Sequence, residues 1–368
     1  MGLFQQMGEM GHERVLVCSN PDAGLKAIIA VHSTLLGPGL GGCRMWPYAN
    51  EDEAITDVLR LSRGMTYKAA AAGINLGGAK AVILGDSRTQ KNEVLLRAFG
   101  RAVESLGGLY ITAEDVGTDT ADMEFVAAET RWVTGLPEDR GGGGDPSPVT
   151  AWGVHQGIKA AAHWVWGSDR LAGRSVAIQG LGSVGSHLAS YLAAEGVKVL
   201  GCDIDSDACT AASQAHGVEI VPCGEIFDVD CDIFAPCALG AILNDETVGR
   251  LKSRIVAGGA NNQLANPEIH GLALDRRGIL YAPDFVINAG GLVNVYNEYI
   301  GYQRKRAMRM AGGIFRNTLR VFEIARRDGI PTYLAGDRLA EERLAAVRDL
   351  GPRQWERQAR RAMEPTGS

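Results

Sequence analysis

The stretch "VAIQGLGSVGSHLASYL" constrains this chain most, because it sets Gly180, Gly182 and Gly185 between a strand-forming run and an amphipathic run. In a G-x-G-x-x-G turn the first glycine permits the tight bend, the second lets backbone approach a pyrophosphate, and the third lets helix and strand pack closely. Amides at the helix start, those of Ser183 and Val184 among them, then face the anion. The motif alone is weak. Here "VKVLGCD" follows and ends at Asp203, 23 positions after Gly180, where an acid at the tip of the second strand is required. Such an acid accepts hydrogen bonds from both ribose hydroxyls and repels a 2'-phosphate, so the expected cofactor is NAD.

Around this motif, strand-like and helix-like runs alternate from "RSVAIQG" to "GILYAP". That alternation predicts an α/β fold with a parallel, doubly wound sheet covered by helices. At 368 residues the chain is long enough for two domains. The segment "GLPEDRGGGGDPSP", Gly135 to Pro148, concentrates glycine, proline and charge without an apolar period and reads as a connector. The expected organisation is a substrate-binding and catalytic domain over 1–146, with 331–368 packing back on it. A Rossmann-type NAD-binding domain over 147–330 follows, with a cleft between the two. A basic amphipathic pattern from Gln303 to Asp328 reads as a solvated helix face that "DGIP" terminates.

Composition narrows the partners. A formal charge of -6 offers no general attraction to nucleic acid or anionic membrane, and no apolar run approaches membrane-spanning length. Small molecules are the expected partners. Seven cysteines without a C-x-x-C pair indicate neither a disulfide framework nor a metal site, and reduced thiols in a cytoplasm are the simplest account.

Upstream, "GINLGGAKAVILG" raises the question of Lys80. A phosphate-cradling P-loop fails there, because Ala79 separates Gly78 from the lysine and Ala81 stands where a Ser or Thr must hold magnesium. The segment "NEDEAITDVLRLSRGMTYKAAAAG" reads as a helix with Asn50 as N-cap and Glu53 completing a capping box. Its apolar stripe runs Ala54, Val58, Leu61, Met65, and the next position on that face is Lys68. Singly, each lysine could snorkel to the surface. As a pair in one partly dry cleft, they depress each other's pKa, so that one is neutral enough to act as base while the other binds a carboxylate. The run "LYITAEDVGTDTADM" ends in Glu114 and Asp115, carboxylates able to exchange protons with a substrate nitrogen. Lysine, lysine and aspartate beside NAD suggest hydride transfer from a carboxylate-bearing substrate.

The segments "GLKAIIAVHSTLLGPGLGGCRMW", "RGMTYKAAAAGINLGGAKAVILGD", "YITAEDVGT", "CDIFAPCALG", "GANNQL" and "YAPDFVINAGGLVNV" together resemble the NAD-dependent leucine dehydrogenase family. That family lies within the glutamate, leucine, phenylalanine and valine dehydrogenase superfamily. The resemblance runs from about residue 4 to about residue 345. It implies that Lys68 binds the substrate carboxylate beside backbone of Gly41 and Gly42, that Lys80 polarises the attacking water, and that Asp115 exchanges a proton with the amino nitrogen. Asn262, Thr150 and Asn288 would settle substrate and nicotinamide, and Leu40, Met65, Ala113, Leu292 and Val295 would wall the side-chain pocket. The implied reaction is reversible oxidative deamination of branched-chain L-amino acids to 2-oxo acids and ammonium, by a homo-oligomer.

Three departures stand out. Ala79 precedes the lysine where the family usually has glycine, Cys43 replaces the usual threonine of "GGCR", and Leu292 occupies a place where many leucine enzymes carry valine. A methyl at position 79 is tolerated unless the backbone there needs a positive φ. Leu40 and Ala113 favour a branched aliphatic over an aromatic side chain, and one methylene discriminates by only about 1 to 3 kcal/mol. Phenylalanine or tryptophan oxidation is the neighbouring alternative, and a catalytically silent NAD-binding regulator the alternative from another class.

Overall fold

In the first half, β-branched and small residues fill two strands that are buried on both faces, Leu25–Ser33 and Gly77–Leu84. In a computed structural model, which describes residues 2–348, this half forms a mixed sheet of β1 (Arg14–Asn20), β2 (Leu25–Ser33), β3 (Gly39–Leu40), β4 (Cys43–Trp46), β5 (Gly77–Leu84) and β6 (Tyr110–Ile111). The order is β1-β2-β5-β3-β6, with β4 paired to the far half of β5. β2 is antiparallel to both β1 and β5, whereas β3 and β4 run parallel to β5.

Successive side chains on a strand face opposite ways, and this sorts β5 into two cores. Ala79, Ala81 and Ile83 join Phe99, Tyr110 and Met123 on one side, under the helices Glu93–Glu104 and Thr120–Ala127. Val82 joins Ile28, Ala54, Val58 and Leu59 on the other, under the helix Glu51–Ala71. Gly78, Lys80 and Val82 therefore face that second helix. Asn50 caps it by accepting the Glu53 N–H at 2.9 Å. The reciprocal contact of the expected capping box goes one residue further back, from the Ala49 N–H to Glu53 Oε2 at 2.9 Å.

The buried face of this helix departs from the expected stripe. It runs Ala54, Val58, Ser62, Thr66, Ala69, whereas Leu61, Met65 and Lys68 lie half-buried on its flank. The reason is steric: a side-chain carbon on Gly78 would collide with backbone and hydroxyl of Thr66, so the helix approaches β5 through its small residues.

The second half forms an all-parallel sheet of β7 (Ser175–Gln179), β8 (Lys198–Cys202), β9 (Glu219–Ile220), β10 (Ile233–Pro236), β11 (Ile255–Val256) and β12 (Leu280–Tyr281), in the order β12-β11-β10-β7-β8-β9. This is the doubly wound Rossmann arrangement, with the chain switching direction beside β7. The basic stretch from Gln303 to Asp328 is two helices, Arg304–Gly312 and Ile314–Asp328.

Among the described residues the chain divides into two compact units. The first comprises 2–144, Glu298–Tyr302 and 340–348; the second comprises Asp145–Asn297 and Gln303–Leu339. The end of the helix Thr332–Arg348 is fastened within the first unit, where Arg343 donates to the carbonyls of Ala69 and Ala70 at 3.1 and 3.0 Å and to Asn75 Oδ1 at 2.9 Å. Part of the segment expected to pack back on the first domain, 349–368, lies outside the described residues.

Candidate active site

Lys80 sits in mid-strand on β5, opposite Ala30 of β2, and its side chain is only 7% exposed. Its Nζ lies 3.1 Å from Asp115 Oδ2, so the first unit brings together a lysine and an aspartate that sequence reading singled out. Burial pushes the Lys80 ammonium down; the Asp115 charge opposes this and Arg44 adds to it, and the net lies below the usual lysine value. For Asp115, burial alone would raise the carboxyl. The charges of Lys80 and Arg44, with their hydrogen bonds, outweigh burial and hold it below the usual carboxylate range.

Arg44 is the residue the sequence reading passed over. It lies on β4 opposite Val82, on the face Lys80 shares, and its Nε donates to Asp115 Oδ2 at 3.0 Å while Nη1 donates to Asp57 Oδ2 at 2.9 Å. Arg44 is thus a cation acting on Lys80, one that spacing alone does not single out. A signal existed: an arginine in "GGCRMW" alternates with buried Cys43 and Met45, which turns it to the opposite face of a sheet interior.

Gly41 and Gly42 lie between β5 and the segment after β6. A side-chain carbon on Gly41 would collide with the Ala79 carbonyl and come 3.3 Å from Met65 Cγ; one on Gly42 would collide with the Glu114 carbonyl and come 2.9 Å from Asp115 Cβ. The Gly41 N–H already donates to Ile111 O at 3.2 Å, and its carbonyl accepts from Tyr110 Oη at 2.8 Å. The Gly42 N–H makes no hydrogen bond among the described residues. Leu40 and Ala113 are buried nearby, Leu40 paired with Ile111 and Ala113 accepting from the Cys43 N–H at 2.8 Å. Ala79 has no positive φ. Its methyl belongs to the core, and the room for it comes from Gly39, where a Cβ would lie 2.8 Å away. The Cys43 thiol is fully buried and burial raises its pKa.

In the second unit, Gly180 follows β7 with φ 94°, the left-handed region that favours glycine. A Cβ on Gly185 would strike the Gly180 carbonyl, whereas one on Gly182 would meet nothing within 4 Å. Gly182 caps the helix Ser183–Ala194, and the amides of Ser183, Val184 and Gly185 make no hydrogen bond among the described residues. Open amides at a helix start, over a glycine with free space, fit a pyrophosphate. Asp203 follows β8, and its Oδ2 accepts from the Leu181 N–H at 2.6 Å, which ties the acid to the turn. These residues fit a dinucleotide.

Asn288 donates to Gly259 O at 3.3 Å and to Asn261 Oδ1 at 2.8 Å, while its own Oδ1 is buried without a partner. Gly259 in turn lies against Val184, so Asn288 belongs to the glycine-turn neighbourhood. Thr150 Oγ1 donates to Pro146 O at 2.9 Å and faces Gly291. Asn262 is exposed with φ 50°. Leu292 and Val295 lie on the helix Gly290–Tyr299, buried and half-buried respectively.

Two family models match the chain in order: "Glu/Leu/Phe/Val dehydrogenase, dimerisation domain" over residues 12–132, and "Glutamate/Leucine/Phenylalanine/Valine dehydrogenase" over 205–310. A leucine dehydrogenase from Thermoactinomyces intermedius is 56% identical over 348 residues, 95% of each chain. A valine dehydrogenase from Streptomyces albus is 50% identical over 92% of this chain and 93% of its own. The crystal structure of L-tryptophan dehydrogenase from Nostoc punctiforme superposes with a TM-score of 0.86 at 46% identity, covering 94% of this chain and 99% of that one. With both models matched and full-length relatives at such identity, this chain belongs to the glutamate/leucine/phenylalanine/valine dehydrogenase family of amino acid dehydrogenases.

Proposed function

We propose that the chain catalyses the oxidative deamination of L-leucine and other branched-chain L-amino acids to 2-oxo acids and ammonium with NAD, and the reverse reductive amination. The observation that carries the catalytic part is the buried Lys80 and Asp115 pair at 3.1 Å. Leucine dehydrogenases among the relatives at 51 to 56% identity support the substrate class, and so do Leu40 and Leu292, both nearly fully buried.

In this reading Lys68 and the Gly42 N–H hold the substrate carboxylate. NAD, when bound over Gly180, Gly182, Ser183, Val184 and Gly185 with its ribose at Asp203, supplies the hydride acceptor. Thr150 and Asn288 settle the nicotinamide, and Asn262 the substrate. Lys80, whose burial disfavours the ammonium, takes a proton in its neutral form from the water that adds to the α carbon. Asp115, ionised at the start, first takes a proton from the substrate ammonium and later returns it to the nitrogen, which departs as ammonia and is protonated in solvent. Met65, Ala113 and Val295 complete the apolar walls. The first unit supplies the acid and base, the second the dinucleotide site, and the enzyme works as a cytoplasmic homo-oligomer. A dimerisation-domain model over residues 12–132 supports that last point.

The test is NADH formation with a panel of L-amino acids. Leucine, isoleucine and valine should be turned over at least tenfold more efficiently than phenylalanine or tryptophan, the usual worth of a shape mismatch in an apolar pocket. The reverse order would favour the aromatic reading, which the 46% identity to the Nostoc enzyme keeps as second choice. Light scattering giving a monomer mass would remove the oligomer.

A further inference from the structure

We propose that Arg44 is a positioning residue for the deamination chemistry, a two-handed clamp that holds Asp115 by one oxygen and is itself held by Asp57. This rests on the reading of Lys80 as base given above. The two donors of the guanidinium reach two carboxylates on different elements: Nε goes to Asp115 Oδ2 at 3.0 Å, beyond β6, and Nη1 to Asp57 Oδ2 at 2.9 Å, on the helix Glu51–Ala71. Asp57 is fully engaged, since Tyr48 Oη donates to its Oδ2 at 2.7 Å and Arg60 Nη2 to its Oδ1 at 2.8 Å. Arg44 therefore has a fixed anchor on one side.

On the other side, Lys80 and Arg44 share Oδ2 of Asp115, and no hydrogen bond reaches Oδ1 among the described residues. The Asp115 main chain is pinned as well, its N–H donating to Thr118 Oγ1 at 3.0 Å. With backbone and Oδ2 both fixed, Oδ1 is the oxygen presented to a substrate nitrogen. A planar fork can bridge two carboxylates in this way; the ammonium of a lysine lacks the fork.

The arrangement also orders the charges. Lys80 feels Asp115, Arg44 and Cys43. Asp115 feels Lys80 and Arg44, and its charge reaches Cys43 and the buried Tyr110. Lys68 lies half-buried on the flank of the helix that carries Asp57. Removing Arg44 takes a cation away from Lys80 and leaves Asp115 to attract the Lys80 proton without competition. Both changes favour the ammonium.

Arg44 also borders an open concavity of about 640 Å³ with Trp46, Tyr48, Asp57 and Arg60, so a free guanidinium ion can enter the place vacated by Arg44→Ala. The full-length enzyme is assayed with L-leucine and NAD as Arg44→Ala, Arg44→Lys, Asp57→Asn and Lys80→Ala, each checked for folding by circular dichroism. Arg44→Ala should lose about 100-fold in kcat, the usual consequence of a misplaced reacting group, with little change in KM. The acid limb of its pH profile should move to higher pH, and guanidinium chloride at non-denaturing concentration should restore part of the rate. Arg44→Lys and Asp57→Asn should shift the limb in the same direction by less, which keeps the proposal testable if Arg44→Ala does not fold. An unshifted limb in folded Arg44 variants, or a loss confined to KM, overturns the clamp while Lys80→Ala inactivity leaves the base reading standing. Full activity in Lys80→Ala removes both.

Discussion

Lys80 Nζ and Asp115 Oδ2 are 3.1 Å apart, with side chains only 7% and 23% exposed. A pair so placed is costly to bury unless it performs chemistry or is well partnered. Lys80→Ala should lower kcat for leucine oxidation by about 100- to 10,000-fold, the range for losing a proton-transfer group. Asp115→Asn should cost a similar factor while NADH binding, read by fluorescence titration, stays unchanged. Retained turnover in both variants would leave the pair a purely structural feature.

If the proposed dinucleotide site is right, Gly182 and Gly185 should separate cofactor binding from folding. Position 182 has open space and an extended backbone that any residue adopts, so Gly182→Ala should alter stability by no more than about 1 kcal/mol. NAD affinity should nevertheless fall at least tenfold, because a methyl would stand where the pyrophosphate approaches. Gly185→Ala should instead destabilise the second unit by roughly 1 to 3 kcal/mol, as overpacking does. Equal NAD affinity of Gly182→Ala and the parent would place the dinucleotide elsewhere.

In the proposed dinucleotide site, Asp203 should set the choice between NAD and NADP. Asp203→Ala removes the acceptor for the ribose hydroxyls and the repulsion of a 2'-phosphate, and frees the Leu181 N–H now bound at 2.6 Å. NAD efficiency should drop about 10- to 100-fold, the worth of hydrogen bonds to a charged group, and NADP efficiency should rise. Parallel loss with both cofactors would contradict this role.

Acid should unfold the first unit through His12 and His32. Their rings meet edge to face at 4.8 Å. His32 Nδ1 lies 2.8 Å from Thr66 Oγ1 and Nε2 lies 3.0 Å from Met10 O, a set that the neutral ring satisfies. Burial pushes both histidines down to about 4. A folded value below the unfolded 6.5 means the unfolded chain takes up the proton first. The stabilisation is whole above pH 6.5 and is lost as pH falls toward 4, by at most about 3 kcal/mol for His32. Urea midpoints measured between pH 7 and 4.5 should fall, and His32→Gln should flatten the slope from a lower starting point.

Some of this architecture was legible because it is local in sequence. The order Gly180, Gly182, Gly185 and then Asp203, and the Asn50 cap, each depend on spacings that one helix or one turn imposes. Lys80 stood out because a charge inside an apolar strand must be explained. Arg44 did not, since its partners Asp57 and Asp115 come to it only through the parallel pairing of β4 with β5 and the packing of a helix over that face. The stripe ending at Lys68 slipped by one position for a related reason. Hydropathy weights Leu61 and Met65 above Ser62 and Thr66, yet contact with a glycine backbone selects for small side chains rather than oily ones. The assignment of Leu40, Met65, Ala113, Leu292 and Val295 to substrate came from family likeness alone, because no local pattern marks which apolar residues face a ligand.

Gly41 and Gly42 leave no space for a side chain, being closed off by the Ala79 and Glu114 carbonyls. The spacing between the strand of Lys80 and the segment of Asp115 is therefore set by main chain touching main chain, a dimension that substitutions at these two positions cannot tune. Redesign of this region should leave both glycines alone, since adding even one methyl here would wedge the segment of Asp115 away from the strand of Lys80.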